Sequence, residues 1–252
     1  MKIAFCISGL FKPSTTYSTA YQNKFEYLVE KIKKYNADVF IFSFSKELES
    51  EIIEIFKPKK FKFEEQKLFN VEINKINNQL NKQAAKNLFS SFYSRKMACA
   101  LKTQFENVNN IKYDIIVSCR PDLGYINTEN FEIPDLNKIN PEYLYSIYWN
   151  QLNAGLADWY FISNSENINF ISSIYDKLPE YLNENSKYQN CLLNGFPYSN
   201  SKNRFSQEIF QKDPEHSEKI NSEYILNHHL LIKYFLLEND KFSLNFLKFF
   251  NS

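Results

Sequence analysis

Two runs near the start of the chain are apolar without interruption, and the lack of alternation decides what kind of strand they form. Lys2-Ile-Ala-Phe-Cys-Ile-Ser8 and Asp38-Val-Phe-Ile-Phe-Ser43 have no polar face to give to water, so both are expected to be buried on both sides, as interior strands of a parallel sheet are. Between them lie Pro13 and the capping candidates Ser14 and Thr15. Apolar residues then recur at Tyr17, Tyr21, Phe25, Leu28, Ile32 and Tyr35, the spacing of one helix face, and Asn36 ends the helix. The first 45 residues therefore predict a β-α-β unit with a right-handed crossover. A helix over Glu47–Phe56 follows, then an alternating strand over Lys59–Glu64. The polar, Asn- and Lys-rich segment Asn70–Asn87 reads as a mobile excursion. Leu88–Glu106 is helical, with Phe89, Tyr93, Met97, Ala100 and Phe105 near one face, and Asp114-Ile-Ile-Val-Ser-Cys119 is another buried strand.

The second half is less regular. Tyr143–Tyr148 and Trp159–Ser163 predict short strands, and Ser163 with Glu166 makes a capping box for a helix that turns Ile168, Ile171, Tyr175, Leu178 and Leu182 inward. Asn190–Pro214 reads as loop with some helix, and Ser222 as the cap of a last long helix through Leu237. No internal repeat and no Gly-, Pro- or Ser-rich linker marks a boundary. The expectation is one α/β domain over 1–252, with a mostly parallel, Rossmann-like central sheet flanked by helices and a helical C-terminal part.

Composition narrows the function. With 252 residues, 44% hydrophobic and 17% aromatic, the chain has ample apolar area for a single large core. Thirty basic residues nearly balance 29 acidic ones, so no overall field attracts nucleic acid and no nucleic-acid partner is expected. Cys6, Cys99, Cys119 and Cys191 form no C-x-x-C pair and read as reduced, buried thiols rather than a zinc or redox site. The opening apolar run is too short for a signal peptide and no 18-residue apolar stretch occurs, which predicts a cytoplasmic protein. The aromatic, basic stretch Phe242–Phe250 with Lys248 leaves open a peripheral contact with the inner face of a membrane.

The four glycines, Gly9, Gly124, Gly155 and Gly195, are too few and too scattered for G-x-G-x-x-G or a Walker A loop, which need several glycines within a few residues to let backbone approach phosphate. G-x-S-x-G and H-E-x-x-H are absent as well. What remains are strand ends. In an open parallel sheet ligands bind beyond the carboxyl ends of the strands, and three ends carry suitable groups: Ser8-Gly9-Leu10-Phe11-Lys12, Ser43-Phe44-Ser45 and Arg120-Pro121-Asp122. Gly9 permits close approach or a plain tight turn, and Lys12 suits a phosphate. Arg120 has two readings, an ion pair with Asp122 or Asp114 at the sheet edge, or a bidentate partner for a diphosphate with Asp122 on a sugar hydroxyl or a metal. Arg95 and Lys96 add positive charge nearby in the sequence of the long helix.

The layout Ile-Ser-Gly-x-x-Lys after strand one, Asp-Val-Phe-Ile in strand two, Tyr-Asp-Ile-Ile-Val-Ser-Cys-Arg-Pro-Asp-Leu, Asp158-Trp-Tyr-Phe-Ile-Ser and Ser222-Glu223 before a helix resembles small glycosyltransferases of bacterial capsule and lipopolysaccharide loci. The resemblance implies a GT-A-like fold, with 1–125 as a nucleotide-binding half and 126–252 as an acceptor-side half. It implies a nucleotide-sugar donor such as a UDP-sugar, a surface-glycan acceptor, and association with a polysaccharide assembly complex. In such folds a D-x-D at the end of a central strand binds a divalent metal and the diphosphate; here Arg120 stands at the first position and only Asp122 matches. Fixed cations in place of Mn²⁺ or Mg²⁺ are therefore favoured, with Asp122 plus a histidine such as His228 or His229 as the alternative metal site and plain packing the alternative role for either ring. An inverting transfer needs a base; Asp158 is the first candidate and Glu223 the second. Trp159, Trp149 and Tyr148 are candidates to stack on a sugar. Rival readings are transfer of another phosphate-linked group, and a non-catalytic partner in glycan assembly.

Overall fold

Four strands, β1 (Ile3–Ser8), β2 (Asp38–Ser43), β3 (Lys60–Phe63) and β4 (Ile115–Cys119), lie parallel in the spatial order β3-β2-β1-β4 in the computed structural model. The structure describes residues 1–11, 21–76, 80–123, 132–149, 155–194, 225–239 and 247–249. The uninterrupted apolar runs are central because they face two cores at once. Ala4, Cys6, Phe40, Phe42 and Ile116 point to one side of the sheet, while Ile3, Phe5, Ile7, Val39, Ile41, Ile115 and Val117 point to the other. The two-residue period of the pleat thus divides each run between two layers.

Helices α1 (Tyr21–Tyr35) and α2 (Glu49–Phe56) cover the second face through Phe25, Leu28, Ile52 and Phe56. The first face is covered by α3 (Asn70–Ile73) and the long α4 (Lys82–Asn109), whose Leu88, Phe89, Phe92, Ala98 and Cys99 are buried. Asn36 ends the α1 segment as expected, in a left-handed conformation with φ 47°. Asn70–Asn87 departs from the expected excursion: it contains α3 and the first turns of α4, and its Ile73, Ile76, Leu80 and Ala85 are buried. Its asparagines mislead because one of them is capping chemistry. The Asn81 side chain accepts from the backbone N–H groups of Gln83 and Ala84, each at 3.0 Å, and starts the helix.

The second half extends the same sheet. After β5 (Leu144–Ser146), β6 (Tyr148–Trp149) and β7 (Gly155–Leu156), strand β8 (Tyr160–Ser163) enters antiparallel beside β4. Helices α5 (Ser165–Ser172), α6 (Ile174–Tyr181), α7 (Lys187–Asn194) and α8 (His228–Glu238) and strand β9 (Leu247–Phe249) follow, and among the described residues the strands form a seven-stranded mixed sheet, order β3-β2-β1-β4-β8-β5-β9, beside the antiparallel pair β6-β7. The architecture is α/β, mostly parallel, with helices on the sheet faces. Asn164, not Ser163, caps α5 by accepting from the Asn167 N–H at 2.9 Å. Ser163 sits in β8 and donates to the Pro141 carbonyl. The predicted single helix is two, meeting at Ser173. Asn227 is the cap of α8, while Ser222 lies outside the described residues. All four cysteines are free and buried, and no helix among the described residues is long and apolar enough to cross a membrane.

Candidate functional site

The chain winds from β1 outward to β2 and β3, then returns to the other side of β1 with β4. Successive connections therefore leave in opposite directions between β1 and β4, and the loops at their carboxyl ends part to form a crevice. The turn after β1 puts position 9 at a φ of 124°, a backbone conformation that favours glycine. Gly9 donates to the Phe42 carbonyl, its own carbonyl accepts from Ser43 Oγ at 2.7 Å, and Ser45 Oγ accepts from the Phe11 N–H at 3.0 Å. Ser43 is fully buried. It ties the β1 turn to the end of β2 and does not line the crevice, which corrects its expected role in donor binding.

Because β8 is antiparallel to β4, its first residues meet the last residues of β4. Cys119 is opposite Tyr160, and the Arg120 N–H donates to the Trp159 carbonyl at 3.0 Å. That register carries Asp158 to Arg120. The guanidinium donates to Asp122 through Nε (2.9 Å) and Nη2 (2.6 Å), reaches both Asp158 carboxylate oxygens from Nη1 at 3.3 and 3.4 Å, and lies 4.5 Å from the Trp159 ring centroid. The ion-pair reading of Arg120 holds with Asp122 as the partner, and the pair borders a cleft. Burial works against its charge, but the two carboxylates outweigh that and raise its pKa. Burial pushes Asp158 upward, yet Arg120 and His228 hold it at about 2. A carboxylate so acidic is a poor proton acceptor near neutrality. The geometry gives Asp158 the work of anchoring Arg120, not the expected base role.

Arg95, on α4, is 3% exposed. Its Nη2 donates to the Asp158 backbone carbonyl at 2.6 Å, its guanidinium lies 4.7 Å from the Phe161 ring centroid, and its buried Nε has no hydrogen-bond partner among the described residues. His228 and His229 open α8 at the same place. The His228 ring stacks on Phe92 with centroids 5.5 Å apart, and burial lowers its pKa to about 4 against the pull of Asp158. His229 Nδ1 lies 2.8 Å from the Leu156 carbonyl.

These groups line a cleft of about 1010 Å³, room for a nucleotide-sized ligand. Ser8, Gly9, Arg95, Arg120, Asp122 and Asp158 all border it, so most of the residues singled out from the sequence converge. Lys12 and Glu223 lie outside the described residues, as do the side chains of Tyr148 and Trp149. The sequence reading missed the opposite wall, Gln66 and the α4 residues Gln83, Lys86, Asn87, Ser90, Ser91 and Ser94. Its signal was present: polar residues at 83, 87, 90 and 94 recur at helical spacing and run into Arg95, but only a helix begun at Lys82 aligns them. Lys86, Arg95 and Arg120 set three cations against the Asp122 and Asp158 carboxylates around this cleft.

Divalent metal is implied by the resemblance to GT-A-like transferases, and the donor set does not fit it. Both Asp122 oxygens already accept from Arg120, and no group of three His, Cys, Asp or Glu side chains among the described residues could hold an ion. No protein-family model matches the chain, and no curated protein matches it significantly.

Proposed function

We propose that this chain is a GT-A-like glycosyltransferase that moves a sugar from a nucleoside diphosphate sugar, UDP-linked first among the candidates, to a hydroxyl of a growing capsular or lipopolysaccharide glycan. The observation that carries the reading is Arg120, fixed between Asp122 and Asp158 at the β1/β4 crevice beside a nucleotide-sized cleft. Breaking the bond from the sugar to the diphosphate leaves negative charge on the departing oxygens, and catalysis requires that charge to be met by groups already in position. Arg120 supplies a planar donor set matched to phosphate oxygens, and its two carboxylates keep it aimed before the ligand arrives. Arg95 brings a buried Nε–H that a ligand oxygen can satisfy, and Lys86 a further ammonium.

On this reading residues 1–125 hold the nucleotide diphosphate and the β8 and α8 side receives the acceptor. Guanidinium stands where the family resemblance would put a metal, so turnover does not require one. Membrane or assembly-complex association belongs to the same reading, since the acceptor is built there. Thermal shift with UDP, GDP, CDP and CMP, each with Mn²⁺ and with EDTA, tests it. Stabilisation by a diphosphate that survives EDTA is the expected result, followed by UDP release from a panel of UDP-sugars. No stabilisation by any nucleotide would favour a non-catalytic role.

A further inference from the structure

The wall that α4 gives to the cleft carries two cations toward its opposite ends, and their surroundings differ. Arg95 is 3% exposed, borders the cleft and has a buried Nε without a hydrogen-bond partner among the described residues. Lys86 is half-buried, borders the same cleft and pairs with no carboxylate among the described residues. Nine positions separate them on one helix, about two and a half turns and ~13–14 Å of rise, which suits the two ends of a ligand better than one phosphate. Between them the wall is polar but uncharged, through Asn87, Ser90, Ser91 and Ser94. Gln83 Nε2 donates to Asn87 Oδ1 at 3.1 Å. That bond leaves the Gln83 amide oxygen and the Asn87 amide nitrogen open among the described residues, one turn of helix that also carries Lys86.

We infer that this turn of α4 reads the base of the donor nucleotide, with Lys86 selecting uracil through the carbonyl at its position 4. The inference rests on the transferase reading above and deepens it. With the diphosphate on Arg120 and Arg95, an extended nucleotide lying along α4 passes its ribose over the serines and brings its base to Gln83, Lys86 and Asn87. The substituent of a pyrimidine farthest from the ribose is that at position 4, an oxygen that accepts in uracil and an amine that donates in cytosine. An ammonium has three donors and no acceptor. Lys86 therefore stabilises the oxygen and leaves the amine without a partner, a discrimination by mismatched polarity and not by size. The open amide oxygen of Gln83 suits the neighbouring N3–H, which uracil has and cytosine lacks. The amide pair also favours a base over a second acidic group at this end, since an imide edge presents both an acceptor and a donor, and a carboxylate only acceptors.

The test titrates UDP, CDP and inorganic pyrophosphate, in EDTA, into the wild type, Lys86→Met and Gln83→Leu, followed by calorimetry. The wild type is expected to bind UDP about tenfold or more tighter than CDP. Lys86→Met is expected to bring that ratio within about threefold while binding pyrophosphate within about threefold of wild type, because its ammonium serves the base and not the phosphates. Gln83→Leu, at an exposed position, is expected to lower the same ratio and supplies the comparison should Lys86→Met fold poorly. A smaller wild-type preference, a ratio still above threefold in Lys86→Met, or pyrophosphate weakened more than threefold in that variant overturns the base assignment and leaves the diphosphate reading standing. A wild type that binds neither nucleotide nor pyrophosphate overturns both.

Discussion

The long helix α4 carries a buried ionic cluster at each of two levels, and the same chemistry does different work at the two. Near its C-terminal end Lys102 is fully buried and donates to Glu106 at 2.8 Å and to Ser165 Oγ. Ser165 in turn donates to Glu106 at 2.9 Å, and Glu106 accepts from the Tyr113 N–H at 3.0 Å. With side chains 0% and 7% exposed at Lys102 and Glu106 the cluster is sealed, and it locks α4 to α5 and to the entry of β4. Two turns nearer the N-terminus, Arg95 touches the Arg120 cluster, where the Arg120 and Asp122 side chains stay 35% and 26% exposed and the charges border a cleft. A closed network answers only to itself, whereas an open one keeps donors that a ligand can use.

Breaking the sealed cluster should have the largest effect on stability. Lys102→Ala leaves a carboxylate buried without its cation, a change that costs about 3–5 kcal/mol; urea unfolding should register that loss while UDP affinity of the folded fraction stays unchanged. Arg120→Ala should act on binding as well. Losing charged hydrogen bonds to a diphosphate should weaken UDP binding by on the order of 100-fold, and because buried Asp158 loses its cation too, an unfolding penalty of about 2–3 kcal/mol accompanies it. Equal losses of stability and binding in both variants would remove the distinction between the clusters.

Acid should sharpen the contrast, because the titrating groups with the clearest shifts at α8 and β8 face the open end. His228 has a folded pKa lowered from 6.5 to about 4, so between those values the unfolded chain binds a proton that the folded chain refuses. Stability should therefore fall as pH drops through that window, by about 2–3 kcal/mol, and His228→Phe should flatten it. Asp158 is lowered from 3.8 to about 2. Its stabilisation is complete above the higher value and is lost as pH falls through the lower, an effect of about 2 kcal/mol that Asp158→Asn should abolish. Chemical denaturation at fixed pH steps separates the two windows. The smallest expected change is Gly9→Ala, where a φ of 124° strains any side chain by about 1–2 kcal/mol. An added Cβ meets only Pro121 Cδ, at 3.5 Å, so thermal unfolding should show a modest loss with no change in the cleft.

The same contrast explains what was legible in the sequence. Strands β1, β2 and β4 announced themselves because each is apolar on both faces, and the strand-end rule then pointed to Ser8, Gly9, Arg120 and Asp122. Asp158 was visible only as a polar residue before a strand. Its pairing with Arg120 follows from the antiparallel register of β8, a long-range fact that periodicity does not contain. The α4 wall was lost for a local reason: the polar residues between Asn70 and Asn87 mask a cap at Asn81, and the helix start determines which of them align. Ser43 misled in the opposite sense, since a serine at a strand end serves equally to fix the next turn.

Isothermal titration of UDP in EDTA, into wild type and Arg120→Ala with Lys102→Ala as the structural reference, tests most directly whether the guanidinium between Asp122 and Asp158 receives a diphosphate. Saturable wild-type binding, retained in Lys102→Ala and weakened by on the order of 100-fold in Arg120→Ala, is the result expected. Undiminished affinity in Arg120→Ala, or no binding by the wild type, would contradict it.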